Sequence, residues 1–97
     1  MIPLTENEIL RAKTIAKKRY PVLFGIHHVM LDLIKGMRRE PMTPENLLII
    51  ESLEEKACSC CLTADILKTF SETEVLPEKM SNENFIKAVR NLCNLEH

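Results

Sequence analysis

The chain has 97 residues, 45% of them hydrophobic and only 4% aromatic, and its 13 Lys and Arg against 14 Asp and Glu leave a net charge of −1. That is enough for one domain with a modest core and too little for two, because the buried fraction rises with chain length. A core that must come from Leu, Ile, Val and Met favours helices over a sheet. No apolar run approaches the roughly 18 residues that span a bilayer, so no membrane role is expected.

The opening MIPLTENE carries acids where a secretory leader carries a basic segment. A cytoplasmic location is therefore expected, with the four cysteines reduced rather than paired. Leu95, Glu96 and His97 resemble the start of a cloned polyhistidine tag, which leaves a single helical domain over residues 1–94.

In chain order, Thr5 followed by Glu8 is a capping-box pattern and predicts a first helix from about Glu6 to Arg19, with Ile9, Ala12, Ala16 and Tyr20 inward and Ile15 at the margin. Pro21 predicts a break there and opens a second helix over about 22–39. Its apolar stripe is Leu23, Ile26, Met30, Leu33 and Met37, widened by Val22, Val29 and Ile34, with Phe24 and Leu31 on another flank. Such a broad apolar surface predicts a central helix with two packing neighbours, or self-association through it.

Thr43, Pro44 and Glu45 cap a third helix whose inward face is Ile49, Ile50, Leu53 and Ala57. A fourth, shorter helix is predicted from Thr63, with Ile66, Leu67 and Phe70 apolar. SETEVLPEKM reads as connector, and Ser81 caps a fifth helix over about 82–94 with Phe85, Ile86, Val89, Leu92 and Cys93 on one side. The expected fold is thus all-α, a compact bundle of four to five short helices.

Charge is unevenly distributed along this plan. Between Arg11 and Arg39 eight basic residues face only Asp32, a balance of +7, whereas nine acids between Glu40 and Glu78 face Lys56 and Lys68, a balance of −7. Such bipolarity steers an anionic partner to one end, pairs two chains head to tail, or joins opposite faces within one domain.

KACSCCL, residues 56–62, concentrates Cys58, Cys60 and Cys61. Cys58 and Cys61 have the spacing of a zinc knuckle, but a structural zinc takes four ligands, commonly as two close pairs, and the second pair is missing. On a helix continued past Ala57, Cys60 and Cys61 extend the inward stripe and Cys58 falls at its edge, where reduced thiols pack as small hydrophobes. Core packing is the favoured reading, and the metal site is the alternative.

His27 and His28 diverge on a helical wheel, His27 bordering the core and His28 lying four residues before Asp32 on the polar face. Gly25 and Gly36 form no phosphate loop. With no nucleophile or paired carboxylates in a recognisable arrangement, neither catalysis nor a cofactor is expected.

MTPENLLIIESLEE, LTADILKTF and MSNENFIKAVRNLC together resemble the three helices of winged helix-turn-helix regulators of the multiple-antibiotic-resistance type, over residues 42–93. The matches are the Leu62-Thr63 pair that opens the middle helix and Ser81, Arg90 and Leu92 in the last. The wing has no counterpart. The resemblance implies that the outward side of the last helix enters the major groove. Independently of the family, Asn84, Lys87, Arg90 and Asn91 there have side chains suited to base edges and phosphate.

Two functional expectations follow. One is a small non-enzymatic regulator that binds DNA as a dimer through Asn84, Lys87, Arg90 and Asn91, with Lys17, Lys18 and Arg19 on phosphate. The other is a protein-binding adaptor or oligomerisation module that acts through apolar helix surfaces and charge complementarity.

Overall fold

The computed structural model describes residues 2–95 and is helical throughout, with no strand among the described residues. Glu96 and His97, the end of the tag-like tail, lie outside the described residues. Three α-helices, α1 (Glu6–Arg38), α2 (Pro44–Glu72) and α3 (Glu83–Asn94), are joined by residues 39–43 and by a segment that contains a short 3-10 helix, Pro77–Ser81. No helix among the described residues is long and apolar enough to cross a membrane.

The all-α class agrees with the sequence, but the expected four to five short helices become three because two expected breaks are absent. Pro21 lies inside α1. A proline there removes one amide donor and leaves the Lys17 carbonyl without its intrahelical partner. Lys17 and Pro21 are both exposed, so water can solvate that carbonyl. The second break, at Leu62-Thr63, has neither Gly nor Pro to enforce it. Ile50, Ala57 and Ala64, spaced by seven, are buried along one uninterrupted stripe of α2, and this phase is kept only if the helix continues.

The chain forms two compact units, one from Met1–Arg19 and Ile66–His97, the other from Tyr20–Asp65. In the first, Thr5 and Glu8 form the expected capping box: the Glu8 amide donates to Thr5 Oγ1 at 3.2 Å, and the Thr5 amide donates to Glu8 Oε1 at 3.1 Å. The core of this unit contains Leu4, Ile9, Ala12, Ile86 and Val89, with Phe70 and Phe85 meeting edge to face at 6.1 Å beside it. The Leu4 amide donates to the Met80 carbonyl at 2.9 Å, which ties the start of the chain to the 3-10 helix.

α3 is capped by Asn82, whose side chain accepts from the Phe85 amide at 3.0 Å, rather than by Ser81. Ser81 ends the 3-10 helix, and the chain takes the extended conformation of an N-cap only at the next residue.

The second unit is a helical hairpin. Residues from Tyr20 onward in α1 pack on α2 up to Asp65, and Ile34, Ile50, Ala57 and Ala64 are its buried positions. His27 Nδ1 lies 2.8 Å from the Ala57 carbonyl, and Arg38 pairs with Glu54. Within this hairpin Ile34 is buried while Ile26 and Leu33 are exposed, so the side of α1 that faces α2 is rotated from the stripe expected. Ile49, expected inward on α2, is exposed as well.

Candidate interaction surface

The expected nucleic-acid residues fall in two groups within the first unit. Asn84, Lys87 and Asn91 are exposed on α3, and Lys17 and Lys18 are exposed on α1. Arg90 and Arg19 are only half exposed.

Arg90 is occupied. Its Nε donates to Glu8 Oε2 at 3.0 Å and its Nη2 to the Ile2 carbonyl at 3.1 Å, so the guanidinium clamps the chain's start against α3. The hydrogen bonds from Arg90 and from the Thr5 amide hold the Glu8 carboxyl below the usual carboxylate range, and Glu8 in turn raises Arg90. Lys87 pairs with Glu83 one turn earlier at 3.3 Å, an exposed contact that leaves its ammonium in water.

Arg11 Nη2 donates to the Cys93 carbonyl at 3.5 Å. From the Glu8–Arg90 contact to this one both chains advance by three residues, so α3 runs alongside the start of α1 in the same direction. Lys87 therefore lies toward the beginning of α1, whereas Lys17 is nine residues beyond Glu8, about 14 Å further along the axis. The structure brings Arg90 to an acid and separates Lys87 from Lys17, Lys18 and Arg19. The joint at Leu62-Thr63, on which the helix-turn-helix resemblance depends, is continuous helix.

The cysteines lie where the helical wheel puts them: Cys60 and Cys61 are half-buried on the inward side of α2, and Cys58 is exposed. Cys93 is half-buried, with its Sγ 3.7 Å from the Glu8 carbonyl. Among the described residues, no three His, Cys, Asp or Glu side chains converge as metal ligands. His27 is half-buried against α2, and its neighbour His28 is exposed.

The most unusual surface belongs to the hairpin. Val22, Ile26, Val29 and Leu33 are 62%, 40%, 59% and 53% exposed. Their spacings of four, three and four place them in one ridge along α1, because that alternation follows one side of a helix. Sequence periodicity detected these residues but placed all four on one inward stripe, Ile26 and Leu33 within it and Val22 and Val29 widening it.

A ridge of four consecutive aliphatic side chains is different from scattered exposed leucines. Contiguous apolar surface of a few hundred Å² on a small domain commonly marks a site where another molecule is bound. Compared with protein-family models, curated proteins and solved structures, the chain matches none.

Proposed function

We propose that this chain is a non-enzymatic protein-interaction module that works through apolar helix surface and charge complementarity. The observation that carries the reading is the uncovered ridge of Val22, Ile26, Val29 and Leu33 on α1 of the hairpin. Water contact along four aliphatic side chains is costly, and covering them releases that cost at roughly 25 cal/mol per Å² before the entropy of association is subtracted. The division of charge into a basic and an acidic stretch adds selectivity for a partner with matching polarity.

The DNA-binding expectation has weaker support. Arg90 would have to leave Glu8 and the Ile2 carbonyl to reach a base, and Lys87 does not share a patch with Lys17, Lys18 and Arg19. Phosphate binding needs several cations on one side, and it weakens steeply with salt.

Two measurements test this reading. A mobility shift with random duplex DNA at low and moderate salt is expected to show no salt-sensitive complex; such a complex at micromolar protein would favour the DNA alternative. A photo-crosslinking residue at position 29, in living cells, is expected to capture polypeptide, whereas the same residue at Glu55 is not. Equal yields at the two positions would refute a role for the ridge.

A further inference from the structure

We infer that Cys58 and Cys61 of α2 together hold one soft cation of the Cu(I) class, bridged between their two thiolates within the Tyr20–Asp65 hairpin. The inference is independent of the apolar ridge and of what binds there.

The continuity of α2 carries it. The sequence predicts a break at Leu62-Thr63, which would leave Cys61 at a fraying helix end, but α2 runs unbroken from Pro44 to Glu72 and fixes all three thiols inside a regular helix. At about 100° per residue, Cys58 and Cys61 lie only about 60° apart around the axis, whereas Cys60 is turned by about 160° from Cys58. Burial agrees with that division. Cys60 and Cys61 are half-buried on opposite flanks of the buried line of Ala57 and Ala64, and Cys58 is exposed on the flank of Cys61. The cluster is therefore one neighbouring pair and one thiol apart from it, and all three thiols are free.

The helix also sets the span of the pair. Residues three apart on a helix have Cβ atoms about 5–6 Å apart. A disulfide needs about 3.5–4.5 Å between its Cβ atoms, so joining these two sulfurs directly requires the helix to unwind. A metal ion between them does not. With metal–sulfur bonds of about 2.3 Å, the length zinc makes to thiolate, two sulfurs on opposite sides of an ion stand about 4.6 Å apart in place of about 2.0 Å. The Cβ spacing then widens from about 3.8 Å to about 5.5–6 Å, which the intact helix already provides.

Ligand number selects the metal. Among the described residues no third His, Cys, Asp or Glu joins the pair as a ligand. Structural zinc takes four ligands, and calcium and magnesium take oxygen. Thiolate favours Cu(I), a soft closed-shell ion that is satisfied by two sulfurs in a line. Cu(I) enters as the two thiol protons leave, with no change in oxidation state, so affinity falls as pH drops. Exposed Cys58 gives the ion entry from solvent, and half-buried Cys61 holds it against the hairpin.

Anaerobic titration of the reduced full chain with Cu(I), in competition with the chromogenic chelator bicinchoninate, tests the inference. One Cu(I) per chain is expected. Cys58→Ser and Cys61→Ser are each expected to weaken binding by at least about tenfold, while Cys60→Ser and Cys93→Ser leave it unchanged. A wild type that holds Cu(I) no better than Cys58→Ser overturns the inference, and an equal loss in Cys60→Ser overturns the assigned pair. A native mass of one copper on two chains overturns the single-helix site. Should Cys61→Ser lose its helical circular dichroism, alkylation of the wild type decides instead. One equivalent of Cu(I) is expected to protect Cys58 and Cys61 and to leave Cys60 and Cys93 labelled as in the metal-free chain; equal protection of all four, or of none, overturns the proposal.

Discussion

Replacing Ile86 with Ala is expected to cost about 3 kcal/mol of stability. Ile86 is 1% exposed and is the largest fully buried side chain among the described residues. The substitution removes three carbons, worth about 0.8 kcal/mol each in transfer, or about 2.4 kcal/mol. Leu4, Ile9, Ala12 and Val89 share this core and come from three separate segments, so they cannot all move in to fill the void. A cavity contribution is therefore added, within the roughly 2–5 kcal/mol seen for such truncations.

Urea denaturation followed by circular dichroism at one fixed protein concentration measures this cost, since self-association would make stability concentration-dependent. Ile86→Val provides a graded comparison at about 0.5–1.5 kcal/mol. A loss below about 1 kcal/mol for Ile86→Ala, with an unchanged denaturant slope, would refute the packing of α3 on α1 around this residue.

Asn82→Ala is expected to destabilise by about 1 kcal/mol and Ser81→Ala to change little, because Asn82 caps α3; the opposite order in thermal unfolding would restore the sequence-based assignment. Pro21→Ala is expected to stabilise by about 1–3 kcal/mol, since it returns an amide donor to the middle of α1, and a lower melting temperature would contradict a continuous helix. For Glu8 the folded-state pKa is depressed, chiefly by the Arg90 hydrogen bond, so its contribution is full above the ordinary glutamate pKa of about 4.3 and is lost as pH falls through the lowered value. The melting-temperature gap between wild type and Glu8→Gln is expected to be full above pH about 4.3 and to narrow as pH falls below it; a gap independent of pH would refute the linkage.

Local signals in the sequence were read correctly where the backbone alone decides. The Thr5–Glu8 capping box, the inward side of α3 and the placement of Cys60 and Cys61 all follow from spacing within one or two turns. Helix ends were harder. Pro21 and Leu62-Thr63 look like boundaries locally, yet both lie in continuous helix, at Leu62-Thr63 because the seven-residue stripe of α2 runs on through the joint. At the start of α3, Ser81 and Asn82 are both good caps, and only the 3-10 helix before them determines which one is used.

The candidate surface was half legible. Apolar residues occupy so much of α1 between Val22 and Met37 that the buried line and the exposed ridge overlap in the sequence, and periodicity merged them into one. Which line is covered depends on where α2 packs. Arg90 illustrates the same limit: its partner Glu8 is 82 residues away, so a side chain with suitable chemistry for DNA was already engaged by an acid that no local pattern connects to it.

The most direct test of the central claim is a photo-crosslinking scan in living cells, with the crosslinking residue placed in turn at Val22, Ile26, Val29 and Leu33 of α1 and at Lys87 and Asn91 of α3. Capture of polypeptide is expected to concentrate at the four α1 positions. Equal capture at all six positions, or capture centred on Lys87 and Asn91, would contradict it.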